Sequence, residues 1–183
     1  GELAAEAGVE LGAELERWVA AERDAVMAHL GAVLAPDAAV LEPLGALAGR
    51  CGLALVSSSA LARLDACLEA TGLAELLPPQ ARFSAEDSLP VPTSKPDPAV
   101  YALAGERLAV AAAEELAVED APSGVRSAVA AGFPAVGQLQ FVAPRERDER
   151  AEALLDAGAT AVVTSWWELA ELLGARSAQA VPG

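Results

Sequence analysis

The chain has 183 residues, 54% of them hydrophobic, and a formal net charge of −15. That length allows one globular domain with a core of its own, and the charge speaks against nucleic acid and anionic membrane as partners, since both demand clustered Lys and Arg. There is no apolar run of membrane-spanning length and no secretory leader pattern, and Cys51 and Cys67 are too few for a disulfide framework and lack zinc-like spacing, so they read as reduced core residues of a cytoplasmic protein.

From Gly1 to Leu34, the residues Leu11, Leu15, Trp18, Val26, Leu30 and Leu34 recur at helical intervals, and the spacing predicts an amphipathic helix. Pro36-Asp37 breaks it, and a second helix is expected from Glu42, with Pro43 in its first turn, to Gly49. Leu53 to Val56 reads as a buried strand, Ser57-Ser58-Ser59 as a hydroxyl-rich turn, and Leu61, Leu64 and Leu68 as the core face of a helix closing at Thr71-Gly72. Hydroxyls and free backbone N–H groups at a helix start form an anion site, whereas a helix cap needs only one of the three serines; the residues alone leave both readings open. Arg82 to Ser84 reads as a short strand, and Pro90, Pro92, Pro96 and Pro98 stiffen the loop around Lys95. Asp97 caps the next helix, whose core face is Val100, Tyr101, Ala104 and Leu108.

Leu116 to Val118 is a buried-type strand followed at once by two acids, Glu119 and Asp120, then by turn chemistry at Ala121 to Gly124 and a helix from Val125 to Ala131. Ala135-Val136 and Ala161 to Val163 read as further strands, Arg145 to Ala157 as a charged helix with a solvated face, and Ser165 as the cap of a last helix. Strands alternating with helices imply an α/β fold with a mainly parallel sheet. In such sheets ligands bind at the carboxyl ends of strands, and two close carboxylates there suit magnesium; an acidic loop near a helix start also has a purely electrostatic use.

Three separated segments, VSSSA, SKPDPAVY and VEDAPSGVRSAVAAG, occur in an order that resembles the second, third and fourth motifs of the haloacid dehalogenase superfamily. The likeness is greatest to its β-phosphoglucomutase-like phosphatase branch and covers about Leu53 to Leu173. It implies a three-layer Rossmannoid sandwich over 38–175, a remnant of a helical cap over 1–37 and a tail over 176–183. It also implies roles. Ser57 would hydrogen-bond a phosphoryl group with help from the Ser58 backbone, Lys95 would neutralise it, and Glu119 and Asp120 would hold magnesium, Asp120 directly. The implied partner is a small phosphorylated metabolite and the implied reaction a phosphatase's, with a phosphosugar mutase as the alternative within the family.

The family's nucleophile, an aspartate at the end of the first and central strand in an Asp-x-Asp-Gly-type motif, has no counterpart in these residues. Asp24, Asp37 and Asp65 lie in helix-like or turn contexts. The expectation is therefore an N-terminally truncated and inactive chain, with a noncatalytic phosphate- or metal-binding or interaction protein as the reading of a different class. Without the central strand, either the strands ending at Val56 and Val118 meet directly or the fold is unstable and prone to association.

Overall fold

In the computed structural model, which describes residues 12–174, five short strands form two parallel sheets. Strand β1 (Leu55–Ser57) pairs with β2 (Arg82–Ser84), Val56 lying opposite Phe83. Strands β3 (Ala117–Glu119), β4 (Ala135–Gln138) and β5 (Ala161–Val163) form the second sheet in that order, Glu119 lying opposite Gly137. Parallel pairing follows from the connections, because a helix carries the chain back between consecutive strands. Helices α1 (Ala13–Val33) and α2 (Ala38–Ala48) precede β1; α3 (Leu61–Thr71), α4 (Ala99–Leu108), α5 (Pro122–Ala130), α6 (Arg147–Asp156) and α7 (Trp166–Leu172) follow the five strands in turn.

The strands ending near Val56 and Val118 do not pair, contrary to one of the two outcomes expected from the sequence. Successive residues of a parallel strand turn their backbone groups to opposite sides. Ser57 accepts from the Ala85 amide at 2.8 Å, so Val56 turns away from β2; Ala117 donates to Pro134 at 2.9 Å, so Val118 turns away from β4. Among the described residues each sheet keeps an open edge.

The two sheets share one helical layer. α4 packs on β1 and β2, α5 packs on β3 and β4, and the two helices touch. Their common core contains Phe83, Val100, Tyr101, Val125, Phe133 and Leu154. On the other face of β3–β5, α2 and α7 bury Leu44, Leu47 and Leu169 against Val136 and Val163. The result is a three-layer α/β sandwich, with α3 against β2 and α1 against α3.

Some local readings change. The Asp37 carboxylate accepts from the Ala39 amide at 2.8 Å, so α2 begins four residues before Glu42 and Pro43 falls inside it. Proline lacks the N–H that would bond the carbonyl four residues back, and the Gln140 side-chain amide donates to that Ala39 carbonyl at 3.5 Å instead. Cys51 is exposed rather than a core residue, and Cys67 is half-buried; both are free thiols. On α1, Leu15, Trp18, Val19 and Val33 stay exposed, so much of its apolar surface is uncovered. Arg82, not singled out in the sequence, is buried and donates to Leu77 O (2.6 Å), Ala74 O (3.2 Å) and the Asp65 carboxylate (2.6 Å). It ties the segment after α3 to the start of β2. Residues 1–11 of the expected first helix and the tail expected over 176–183 lie outside the described residues. Among the described residues no single helix is long and apolar enough to cross a membrane.

Candidate functional site

The serine turn, the lysine and the acid pair meet where β1 and β3 end. At the end of β1, Ser57 Oγ accepts from the Ser59 amide at 3.1 Å, which leaves the hydroxyl hydrogen available to an incoming acceptor. None of the three serines caps α3. The Leu61 amide donates to Asp87, 2.6 Å away on the loop after β2, so Asp87 takes the role that composition offered to a serine. Ser58 Oγ accepts from the Lys95 amide at 3.1 Å and so fastens the proline-rich loop to the turn. Among the described residues the Ser58 N–H has no hydrogen-bond partner.

Lys95 points into the fold. Its Nζ donates to Val56 O at 2.9 Å, the carbonyl that β1 turns to its open edge, and forms an ion pair with Glu119 Oε1 from the end of β3. Both side chains are nearly buried, at 12% and 8% exposure. A lysine ammonium has three N–H donors, so one remains for a ligand. Nζ also stands 5.2 Å from the centre of the Tyr101 ring, and the Tyr101 hydroxyl donates to the same Glu119 Oε1. Burial first, then the charge of Glu119 and the hydrogen bond to it, pushes the Tyr101 phenol well above its ordinary range, so it stays a protonated donor. Gly124 lies directly behind Glu119, where any Cβ would overlap the carboxylate. The loop carrying Lys95 is held from below: Ser127 donates to Asp97 O at 2.6 Å, and Asp97 Oδ1 accepts from the Ala99 amide at 2.9 Å.

Asp120 differs from its neighbour. It is exposed, and its carboxylate has no hydrogen bond or ion pair among the described residues. Its carbonyl accepts from Arg150 Nη1 at 3.0 Å, so one arginine of the supposedly solvated helix supports the site; Arg145 pairs with the adjacent, exposed Glu146. Magnesium is held by one or two carboxylates, with waters and substrate phosphate completing its shell, and Asp120 fits that description. Glu119 fits less well, because its Oε1 already accepts from Lys95 and Tyr101. Among the described residues no group of three or more His, Cys, Asp or Glu converges on one point. Four other aspartates have structural duties: Asp37, Asp87 and Asp97 cap helices and Asp65 pairs with Arg82.

Sequence reasoning named Ser57, Ser58, Lys95, Glu119 and Asp120 but missed Tyr101, Gly124, Asp87 and Arg150 as parts of the surroundings. Tyr101 read as a core aromatic at helical spacing. Its polar end was a usable signal, since a buried hydroxyl needs a partner.

No family model and no curated protein matches the chain. Solved structures do. A conserved haloacid dehalogenase-like protein of unknown function from Agrobacterium tumefaciens superposes with a TM-score of 0.70 at 26% identity, covering 95% of this chain and 74% of that one. A candidate β-phosphoglucomutase from Thermotoga maritima gives 0.69 at 25% identity, covering 93% and 74%. A haloacid dehalogenase family hydrolase from Deinococcus radiodurans, solved with bound phosphate and sodium, gives 0.63 at 31% identity, covering 75% of this chain and 58% of that one.

Proposed function

Since the chain belongs to the haloacid dehalogenase superfamily, we propose that the carboxyl ends of β1 and β3 bind the phosphoryl group of a small phosphorylated metabolite. The single observation that carries this reading is Lys95, a nearly buried ammonium tied to both strand ends with one N–H to spare. A phosphoryl group presents equatorial oxygens whose charge must be cancelled, and preformed donors in a water-poor site do this without reorganisation. The Ser57 hydroxyl, the Ser58 N–H and Lys95 are preformed donors, and of these the Lys95 side chain is nearly buried. Asp120 would hold magnesium, which supplies further charge neutralisation at the phosphate when bound. Glu119 acts as the fixed counter-ion that aims Lys95.

Phosphatase turnover also needs a carboxylate nucleophile in line with the leaving group, and the structural duties of Asp37, Asp65, Asp87 and Asp97 argue against any of them. Our reading is that these residues bind phosphoryl groups without hydrolysing them; with a nucleophile supplied, the same donors serve a phosphatase, or a mutase. Titration with inorganic phosphate followed by 31P NMR, with and without magnesium, tests the binding reading. Saturable binding strengthened by magnesium and weakened by Lys95→Met and Asp120→Asn is expected. Absence of binding, or binding indifferent to Lys95→Met, rejects it. Release of nitrophenol from p-nitrophenyl phosphate by the chain alone, abolished by Lys95→Met, would reject the inactivity.

A further inference from the structure

We propose that Tyr101 is a positioning residue for phosphoryl recognition: its hydroxyl fixes the Glu119 carboxylate and thereby the direction in which Lys95 presents its remaining N–H. This rests on the phosphate-binding reading above and adds a residue to it. A lysine ammonium is a point charge on a flexible stem, and a lone ion pair leaves it free to swing between the two carboxylate oxygens. Here that freedom is removed from three sides. Oε1 of Glu119 accepts from both Tyr101 and Lys95, so the oxygen facing the lysine is selected. Gly124 lies against the back of the carboxylate and limits its retreat. The Tyr101 ring itself stands 5.2 Å from Nζ and offers its π face to the cation, while Val56 O takes another N–H.

The ring is held in turn. Phe133 packs against it at 5.5 Å between centroids, and both rings belong to the core under β1–β3. Tyr101 lies in the first turn of α4, whose start is fixed by Asp97 two residues after Lys95. Thus one helix start sets both the lysine and the hydroxyl that constrains its counter-ion.

Tyr101→Phe removes the hydroxyl and keeps the ring, whereas Leu169→Ala empties core space on the far face of β3–β5 and leaves the ring and its hydroxyl in place. Both variants and the unaltered chain are compared in inorganic phosphate affinity, melting temperature and the 15N signal of the Lys95 ammonium. Loss of one buried hydrogen bond that acts on the lysine should weaken phosphate binding about tenfold. The ammonium signal should broaden in Tyr101→Phe as proton exchange speeds up. Leu169→Ala should lower the melting temperature while leaving phosphate affinity within about twofold. Unchanged phosphate affinity in Tyr101→Phe, or a loss in both variants that tracks their melting temperatures, overturns the proposal. If the unaltered chain binds no phosphate, the functional reading itself fails and the proposal falls with it.

Discussion

Gly124 and Glu119 touch so closely that the carboxylate occupies the place of the side chain the glycine lacks. Gly124 sits in the first turn of α5, where backbone φ is ordinary, so its identity answers to space rather than to conformational freedom. Gly124→Ala must push the carboxylate off Lys95 and Tyr101. The expected cost is about 1–3 kcal/mol of stability, read by urea unfolding, together with weaker phosphate binding. A variant of unchanged stability and affinity would mean that Glu119 has another rotamer of equal worth.

Removing Lys95 strands a charge. Lys95→Met leaves Glu119 nearly buried with Tyr101 as its one partner among the described residues, and breaking one half of a buried pair costs about 3–5 kcal/mol. The double variant Lys95→Met/Glu119→Gln should recover most of that loss while phosphate binding stays abolished. Calorimetric melts of the three proteins separate the structural from the binding contribution.

Arg82 and Asp65 are unequal partners. Arg82 is buried and satisfies two backbone carbonyls besides the carboxylate, while the Asp65 side chain is 52% exposed. Arg82→Met should therefore destabilise by about 2–4 kcal/mol, because two carbonyls lose their donor. Asp65→Asn should cost less than about 1 kcal/mol. Denaturant midpoints of equal size for the two variants would contradict this ordering.

Acid should act through Glu168. The Thr164 backbone N–H at 2.7 Å, and then its hydroxyl at 2.8 Å, hold the Glu168 carboxyl below its usual range. A carboxyl depressed on folding gives stability that is present above its unfolded value and lost as pH falls through the folded one. The melting temperature should fall less steeply with acidification in Glu168→Gln than in the unaltered chain. Parallel pH profiles would remove Glu168 from the acid response.

The site was legible where chemistry is local to a motif. Ser57, Lys95 and the pair Glu119-Asp120 each follow a strand or precede a helix, and their elements form close to the expected places. What the motif could not express was the division of labour between adjacent acids. Glu119 is the last residue of β3 and goes to the ammonium, whereas Asp120 lies just beyond the strand and stays exposed. Asp87 was hidden for another reason: it caps a helix that starts 26 residues earlier, a contact no local pattern records. Pro43 misled because proline is common in a first helical turn, whereas the Asp37 cap decides where α2 begins.

The open edges of β1 and β3 give Lys95 a second meaning. No ladder bond joins the two sheets, so each can open while the other keeps its own backbone pairing. What couples them is made of side chains: the core shared by α4 and α5, the hydrogen bonds Tyr101–Glu119 and Ser127–Asp97, and one ammonium group held by a carbonyl of one sheet and a carboxylate of the other. A ligand that draws on that ammonium therefore alters how strongly the halves share their unfolding, and hydrogen exchange at β1–β2 relative to β3–β5 becomes a gauge of occupancy as well as of stability.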